Sequence, residues 1–195
     1  MKYPSPADIA EMKARGYDRV TIEKAEEQSK RWEEAQAVCS VIRSAFKNVK
    51  LGNGVGLWQA QGIDDCDDEA TWSAYREKDE KEDWQRITTD DLNNCYSSKS
   101  FFDGEGMRFH LPAYLIADLN GEYGFGMAFT LTHLNENEHS KSYFTLLSQA
   151  QRLAVREYLL YIRSEPDYSH KRANIDKALE EYWTEVPRLE FSADD

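Results

Sequence analysis

At 195 residues, 41% hydrophobic and 12% aromatic, the chain can bury a core, which excludes an intrinsically disordered protein. Its formal net charge of -12 disfavours binding to nucleic acid or to an anionic membrane surface, because both are negatively charged. No run approaches the roughly 18 apolar residues of a transmembrane helix, and no apolar segment follows the N-terminus as in a secretory signal. We therefore expect one soluble, unexported domain.

The cysteine pattern points to the same compartment. Cys39, Cys66 and Cys95 are odd in number, and no two have CxxC spacing. This favours reduced thiols in a cytoplasm over a disulfide framework. We expect structural or incidental thiols rather than a nucleophile or a metal site.

The N-terminal quarter of the chain reads as two helices. Ser5 is placed to cap a short helix from Pro6 to Arg15. From Thr21 to Asn48, apolar or small residues recur at steps of three and four, which predicts a long amphipathic helix of about 27 residues. Either this helix packs on the core, with Trp32 inside, or it forms a coiled-coil or partner helix. We favour packing on the core, because small residues weaken the apolar seam that a coiled coil needs.

A glycine-rich segment, Leu51 to Leu57, follows. It lacks the Lys-Ser/Thr of a Walker motif and the spacing of a dinucleotide-binding loop. We therefore predict a turn that leads into a short strand from Gly56 to Ala60.

The most charged region runs from Asp64 to Asp83, with ten acidic and three basic residues, a difference of -7. It fails the EF-hand pattern, because Glu69 stands at the sixth position and Tyr75 at the twelfth. Either it is a solvated helix pinned by aromatic residues, or it is an acidic, aromatic binding face. The second interpretation makes these the candidate partner-binding residues: Asp64, Asp65, Asp67, Asp68, Trp72 and Tyr75.

Thr88 is placed to cap another helix, whose Leu92, Cys95 and Tyr96 are predicted to face inward. This helix leads into the central stretch Phe101 to Gly121. There the glycines predict a turn, and the alternation of Met107 to His110 predicts a short strand. Pro112 suits the first turn of a helix that Asn120 and Gly121 end.

This stretch also holds the best enzymatic candidates, Asp103, Glu105, Arg108 and His110. A histidine beside two carboxylates suits a general base, and Arg108 suits an anion. Equally, Asp103 can cap a turn, Glu105 can pair with Arg108, and His110 can bond the next helix. We favour these structural roles, so no catalytic residue is assigned.

The residues Gly106, Arg108, Phe109, Leu111, Pro112, Ala113 and Tyr114 resemble a Gly-x-Arg-Phe-x-Leu-Pro-Ala-Tyr core. That core is typical of an uncharacterised bacterial family, domain of unknown function 6714. A later helix, Leu147 to Tyr161, loosely matches the family's Leu-x-x-x-Gln-Arg helix. The resemblance covers roughly Leu51 to Ile162 and implies no activity, cofactor or catalytic residue.

The remaining segments complete the outline. Tyr123 to Leu131 suits a short strand or an irregular buried segment. His133 to His139 holds two histidines and two glutamates, but a spacing of six in a loop-like run does not predict a metal site. Ser148 and Gln151 form a capping-box pattern, and a last helix is predicted from Lys171 to Glu185.

These observations predict a mainly α fold with a small β component. Residues 1–50 form a helical segment packed on a family-like core, 51–190, in one compact structural domain. We expect a non-catalytic cytoplasmic protein without metal or cofactor that binds a basic protein, as an immunity or antitoxin-type protein would. The alternatives are a small hydrolase or transferase using Arg108 and His110, or an inhibitor that mimics DNA. The oligomeric state is not predicted.

Overall fold

The structure, a computed structural model, describes residues 3–134 and 142–184. Over these residues the chain forms nine α-helices, joined by turns and three short 3-10 segments, and no strand. The mainly α prediction is therefore confirmed, and the small β component is wrong. The helices are α1 Pro6–Ala14, α2 Arg19–Ala45, α3 Leu57–Asp64, α4 Glu69–Lys78, α5 Thr89–Asn94, α6 Gly104–Leu119, α7 Ala128–Thr132, α8 Gln149–Ser164 and α9 Arg172–Glu181.

The long N-terminal helix is present as predicted. α2 spans 27 residues, and its apolar face packs on α6 and α8. Cys39, Ile42 and Phe46 from this face are fully buried. Trp32 is only half-buried, because it faces an open pocket near the N-terminus. α1 begins at the capping box of Ser5, as its sequence pattern predicted, and packs along α2.

The core is organised around α6, which begins eight residues before Pro112. Asp103 is its N-cap and accepts a hydrogen bond from the N–H of Gly106 at 2.7 Å. The predicted strand at Met107 to His110 is therefore wrong. Thirteen of the sixteen residues of α6 are buried. Burial on this scale outweighs the local cost of two glycines, which were predicted to break a helix, and of Pro112, which was predicted in the first turn and lies in the interior.

Gly106 in α6 and Gly54 in the loop before α3 allow two backbone segments to pack closely. A Cβ on Gly54 would stand 2.5 Å from the N atom of Gly106, and a Cβ on Gly106 would stand 2.5 Å from the carbonyl oxygen of Val55. Both positions therefore require glycine for close approach rather than for a turn. The same loop leads into α3 and not into the predicted strand.

The start of α3 is capped by a side chain from far along the sequence. The carboxylate of Asp79 accepts hydrogen bonds from the N–H groups of Trp58 at 2.8 Å and Gln59 at 3.2 Å. These groups are two of the donors that a helix N-terminus leaves unpaired. Asp79 ends α4, so the bonds close α3 and α4 into a helical hairpin.

The C-terminal part packs α8 and α9 together against α2 and α7. α8 begins at the capping box of Ser148 and Gln151, as predicted. The segment predicted as a strand or an irregular stretch, Tyr123 to Leu131, is a loop followed by α7. In the described ranges no helix is both long and apolar enough to cross a bilayer.

The three cysteines are free thiols. Burial raises the pKa of the Cys39 thiol to about 11 and that of Cys95 to about 12. Both thiols therefore stay protonated near neutral pH and are weak nucleophiles.

Candidate functional site

The four aspartates singled out in the sequence lie where α3 turns into α4. Asp68 is the N-cap of α4 and bonds Thr71, which lowers the pKa of its carboxyl group. Asp64 accepts a hydrogen bond of 2.6 Å from the hydroxyl of Ser97. Asp65 ends α3 and is exposed. Some of these carboxylates therefore stabilise the turn, although they remain accessible to water.

Their negative charge is not balanced locally. Further along, Glu80 pairs with Arg86 at 3.4 Å, and Glu82 pairs with Lys50. The five acidic residues of the turn form no such ion pair with any described cation. They all lie within six consecutive positions: Asp64, Asp65, Asp67, Asp68 and Glu69.

The two aromatic residues predicted to join this face are mostly occupied in packing. The indole N–H of Trp72 donates to the carbonyl oxygen of Asp67 at 2.9 Å, and Trp72 is half-buried. Tyr75 lies against Gly62, where a Cβ would stand 2.9 Å from its ring, and its centroid is 6.3 Å from that of Trp58. Both side chains therefore hold the α3–α4 hairpin together.

Two other aromatic side chains are exposed, and one of them precedes a residue that bonds the acidic turn. Tyr96 and Phe125 stack with centroids 4.5 Å apart and an interplanar angle of 18°, although 51% and 56% of their surfaces remain accessible. Ser97, the next residue after Tyr96, donates the hydrogen bond to Asp64. The segment that carries Tyr96 is therefore hydrogen-bonded to the acidic turn.

We call this region the acidic–aromatic surface, formed by Asp64, Asp65, Asp67, Asp68, Glu69, Tyr96 and Phe125. The sequence indicated its acidic half but not its aromatic half. Tyr96 was predicted to face inward, and Phe125 lay in a segment read as buried. Their stacking joins residues 29 positions apart, which local periodicity does not reveal.

A half-buried lysine joins the two segments that carry the aromatic pair. Lys99 donates hydrogen bonds to the carbonyl oxygen of Tyr96 at 2.6 Å and to the hydroxyl of Tyr123. Its Nζ also lies 5.0 Å from the ring centroid of Tyr114 and 4.9 Å from that of Tyr123. Burial lowers the pKa of Lys99 to about 8. This lysine ties the end of α5 to the loop that carries Phe125.

The enzymatic candidates lie at the start of α6 and at the N-cap before it. Asp103 accepts hydrogen bonds from the N–H groups of Gly106 and Val55, as a cap. His110 is 1% exposed, and burial lowers its pKa to about 4. Such an imidazole is sealed from solvent-borne substrate and is a weak base.

Two further candidates flank this region. The Glu105 carboxylate lies beside Gly52, whose carbonyl oxygen accepts a hydrogen bond from Arg76 at 2.8 Å. Arg108 is half-buried, and its Nε has no hydrogen-bond partner among the described residues. The expected pairing of Glu105 with Arg108 is absent from the ion pairs of the described chain.

Within 3–134 and 142–184 no group of three or more His, Cys, Asp or Glu side chains has the geometry to hold a metal ion. Five of the seven residues in the run from His133 to His139 lie outside the described residues. His133 itself stacks on Phe129, with centroids 4.0 Å apart.

The described residues form a helical protein built around one largely buried helix, α6, with the acidic–aromatic surface on the outside. The chain belongs to the family of unknown function DUF6714, whose model matches residues 34–187. The resemblance seen in the sequence is thereby confirmed. The match begins inside α2, so α1 and the first half of α2 precede it. No curated protein matches the chain, and no solved structure does.

Proposed function

We propose that this is a non-catalytic protein that binds a basic protein partner through the acidic–aromatic surface. The observation that carries the proposal is the hydrogen bond from Ser97 to Asp64. It joins a turn with five carboxylates that form no ion pair in the described chain to the segment that carries Tyr96, which stacks on Phe125 at the surface. Carboxylates attract a positively charged partner, and exposed aromatic rings provide the contact area that interface centres favour.

The two halves of the surface have different expected effects. The region from Asp64 to Asp83 carries -7 of the total net charge of -12, so it supplies most of the long-range attraction. Long-range attraction raises the association rate and weakens as salt screens it, with a Debye length of about 8 Å at physiological ionic strength. Tyr96 and Phe125 act only at contact, so they should slow dissociation.

The kind of partner follows from this chemistry. A protein that acts on nucleic acid carries a basic surface, and an acidic protein that covers this surface blocks it. We therefore propose an immunity or antitoxin-type role in a bacterial cytoplasm, in which the chain neutralises a basic toxin enzyme. The size of the chain and its acidity support this role by analogy.

The test begins with a partner retained from a lysate by the wild-type protein, followed by surface-plasmon kinetics at low and high salt. We compare the fourfold variant Asp64→Asn, Asp65→Asn, Asp67→Asn, Asp68→Asn with a control that removes four exposed charges elsewhere. Asparagine preserves the N-cap of α4. The control is Glu27→Gln, Glu33→Gln, Glu157→Gln, Glu180→Gln.

We expect a basic partner whose association rate falls steeply with salt. The fourfold aspartate variant should associate far more slowly and dissociate at nearly the wild-type rate, whereas the control should lose little. Tyr96→Ala and Phe125→Ala should instead speed dissociation, with Phe129→Ala as a control at another exposed phenylalanine. Equal association rates for the aspartate variant and the wild type at low salt would refute the proposal.

A further inference from the structure

A pocket opens next to the acidic–aromatic surface and shares Phe125 with it. Its volume is about 210 Å³. Pockets for drug-sized ligands measure about 300–1,000 Å³, so this one suits a single side chain rather than a larger molecule. Its principal lining residues come from α6, the loop after it and the turn before α9: Asp118, Tyr123, Phe125, Asp167, Tyr168 and Lys171.

The floor of the pocket is a buried carboxylate. Asp118 is 7% exposed and accepts hydrogen bonds from the hydroxyls of Tyr158 and Tyr168, the latter at 3.1 Å, and from the N–H of Met127 at 3.0 Å. All three donors are neutral. No described lysine, arginine or histidine lies within ion-pair distance of Asp118. Lys99 interacts electrostatically with Asp118 but does not form an ion pair with it, so the carboxylate still favours a cation bound directly to it.

The donors position the carboxylate without neutralising it. Burial raises the pKa of both the Tyr158 and Tyr168 hydroxyls, so they keep their protons. Gly126 has φ +68°, and a Cβ there would stand 3.4 Å from the Tyr168 hydroxyl and 3.9 Å from Asp118. The loop therefore passes close to the carboxylate at a position that favours glycine.

The walls of the pocket suit an organic cation. The Tyr123 and Phe125 rings lie with centroids 5.7 Å apart. Among the other lining residues, the Nζ of Lys171 stands 5.6 Å from the ring centroid of Tyr168. Aromatic faces attract ammonium groups at about this distance. The protein thus already places one of its own ammonium groups at the rim of this pocket.

We propose that the pocket binds an alkylammonium group, the side chain of a lysine presented by the basic partner. This inference rests on the proposed function for the source of the lysine. An arginine fits less well, because its planar guanidinium favours two free carboxylate acceptors, and both oxygens of Asp118 already accept hydrogen bonds. An ammonium group is a compact charge that needs no such fork.

The pocket is tested without any protein partner, using n-butylammonium as the probe and NMR titration of the ¹⁵N-labelled full chain as the readout. We expect saturable shifts of the Gly124 and Gly126 amides. The neutral alcohol 1-butanol should cause none at equal concentration, and n-propylguanidinium should bind more weakly. Absence of saturation with n-butylammonium, or equal shifts with 1-butanol, would overturn the inference.

Substitutions on the exposed side of the pocket provide a second test that leaves the core unchanged. Lys171→Met removes the resident ammonium and should tighten n-butylammonium binding about two- to fivefold. Phe125→Ala should weaken binding by a similar factor. The matched controls, Lys177→Met further along α9 and Phe129→Ala in α7, should leave the affinity unchanged. An unchanged affinity in Lys171→Met would contradict the inference.

The two proposals fail separately. If n-butylammonium binds as expected but the aspartate variant associates with the basic partner at the wild-type rate, the pocket stands and the proposed function falls. If the partner's association depends on the aspartates but the amine does not bind, the partner uses the acidic–aromatic surface without placing a lysine in this pocket.

Discussion

The Nδ1 atom of His110 lies 2.7 Å from the carbonyl oxygen of Gly106, one turn earlier in α6. The ring stacks on Phe102, with centroids 4.5 Å apart and an interplanar angle of 8°. A neutral imidazole that carries its proton on Nδ1 donates to this carbonyl. His110 is therefore part of the packing of the central helix, and its charge state is tied to folding.

That relationship predicts a loss of stability in mild acid. The pKa of His110 is about 4 in the folded protein and about 6.5 in an unfolded chain, so between these values the unfolded state binds more protons. The stability that the neutral form contributes is complete above pH 6.5 and is lost as the pH falls towards 4. We expect a loss of about 2–3 kcal/mol by pH 4.5. Denaturant titrations at pH 7 and 4.5, with His110→Gln as the comparison, measure it. Equal losses in both proteins would contradict the assignment.

Gly54→Ala should destabilise the protein. Its new Cβ would stand 2.5 Å from the N atom of Gly106 and 2.7 Å from the Cβ of Glu105. These contacts can be relieved only by a shift of the backbone. We expect a cost of about 1–3 kcal/mol, typical of overpacking. Gly124→Ala is the control, because its nearest neighbour would be the Asn93 side chain at 3.6 Å. Thermal melts of the two variants should differ clearly, and coincident melts would show that the loop moves aside.

Trp183 rather than Trp32 should be the tryptophan on which stability depends. Trp183 is fully buried, and its indole N–H donates to the carbonyl oxygen of Leu131 at 2.8 Å. Trp183→Ala should cost about 3–5 kcal/mol. Trp32→Ala should cost about 1–2 kcal/mol, because part of that side chain is already in water. Urea unfolding of both variants checks the order, and a larger loss in Trp32→Ala would reverse it.

The lowered pKa of Lys99 predicts that the free energy of unfolding rises in mild alkali. Its pKa is about 8 when folded and about 10.5 when unfolded, so the unfolded state binds more protons between these values and stability rises with pH. From pH 8 to 9.5 we expect a rise of about 2 kcal/mol. Above pH 10 the buried tyrosines oppose this, since their raised pKa values favour proton binding by the folded state. Unfolding of the wild type and Lys99→Met across this range tests it, and parallel curves would refute the lysine's part.

Local signals in the sequence were sufficient for several elements. The three- and four-residue steps of α2, the cap at Thr88 and the capping box at Ser148 and Gln151 all predict what is observed. Each signal acts within one or two helical turns, so no distant residue is needed to interpret it. The acidic half of the candidate surface was predicted for a similar reason, because its charges are consecutive in the chain.

The sequence by itself determined the mainly helical class, the long amphipathic α2, the charge of the Asp64 to Asp83 region and the family resemblance. Only the tertiary structure decided that Gly104 begins the central helix, because burial of α6 on all sides outweighs the local preferences of Gly106 and Pro112. It also decided which aromatic rings stack at the surface and which groups surround Asp118. Those contacts join residues tens of positions apart, and their energies come from burial and charge in the folded chain, which no local pattern encodes.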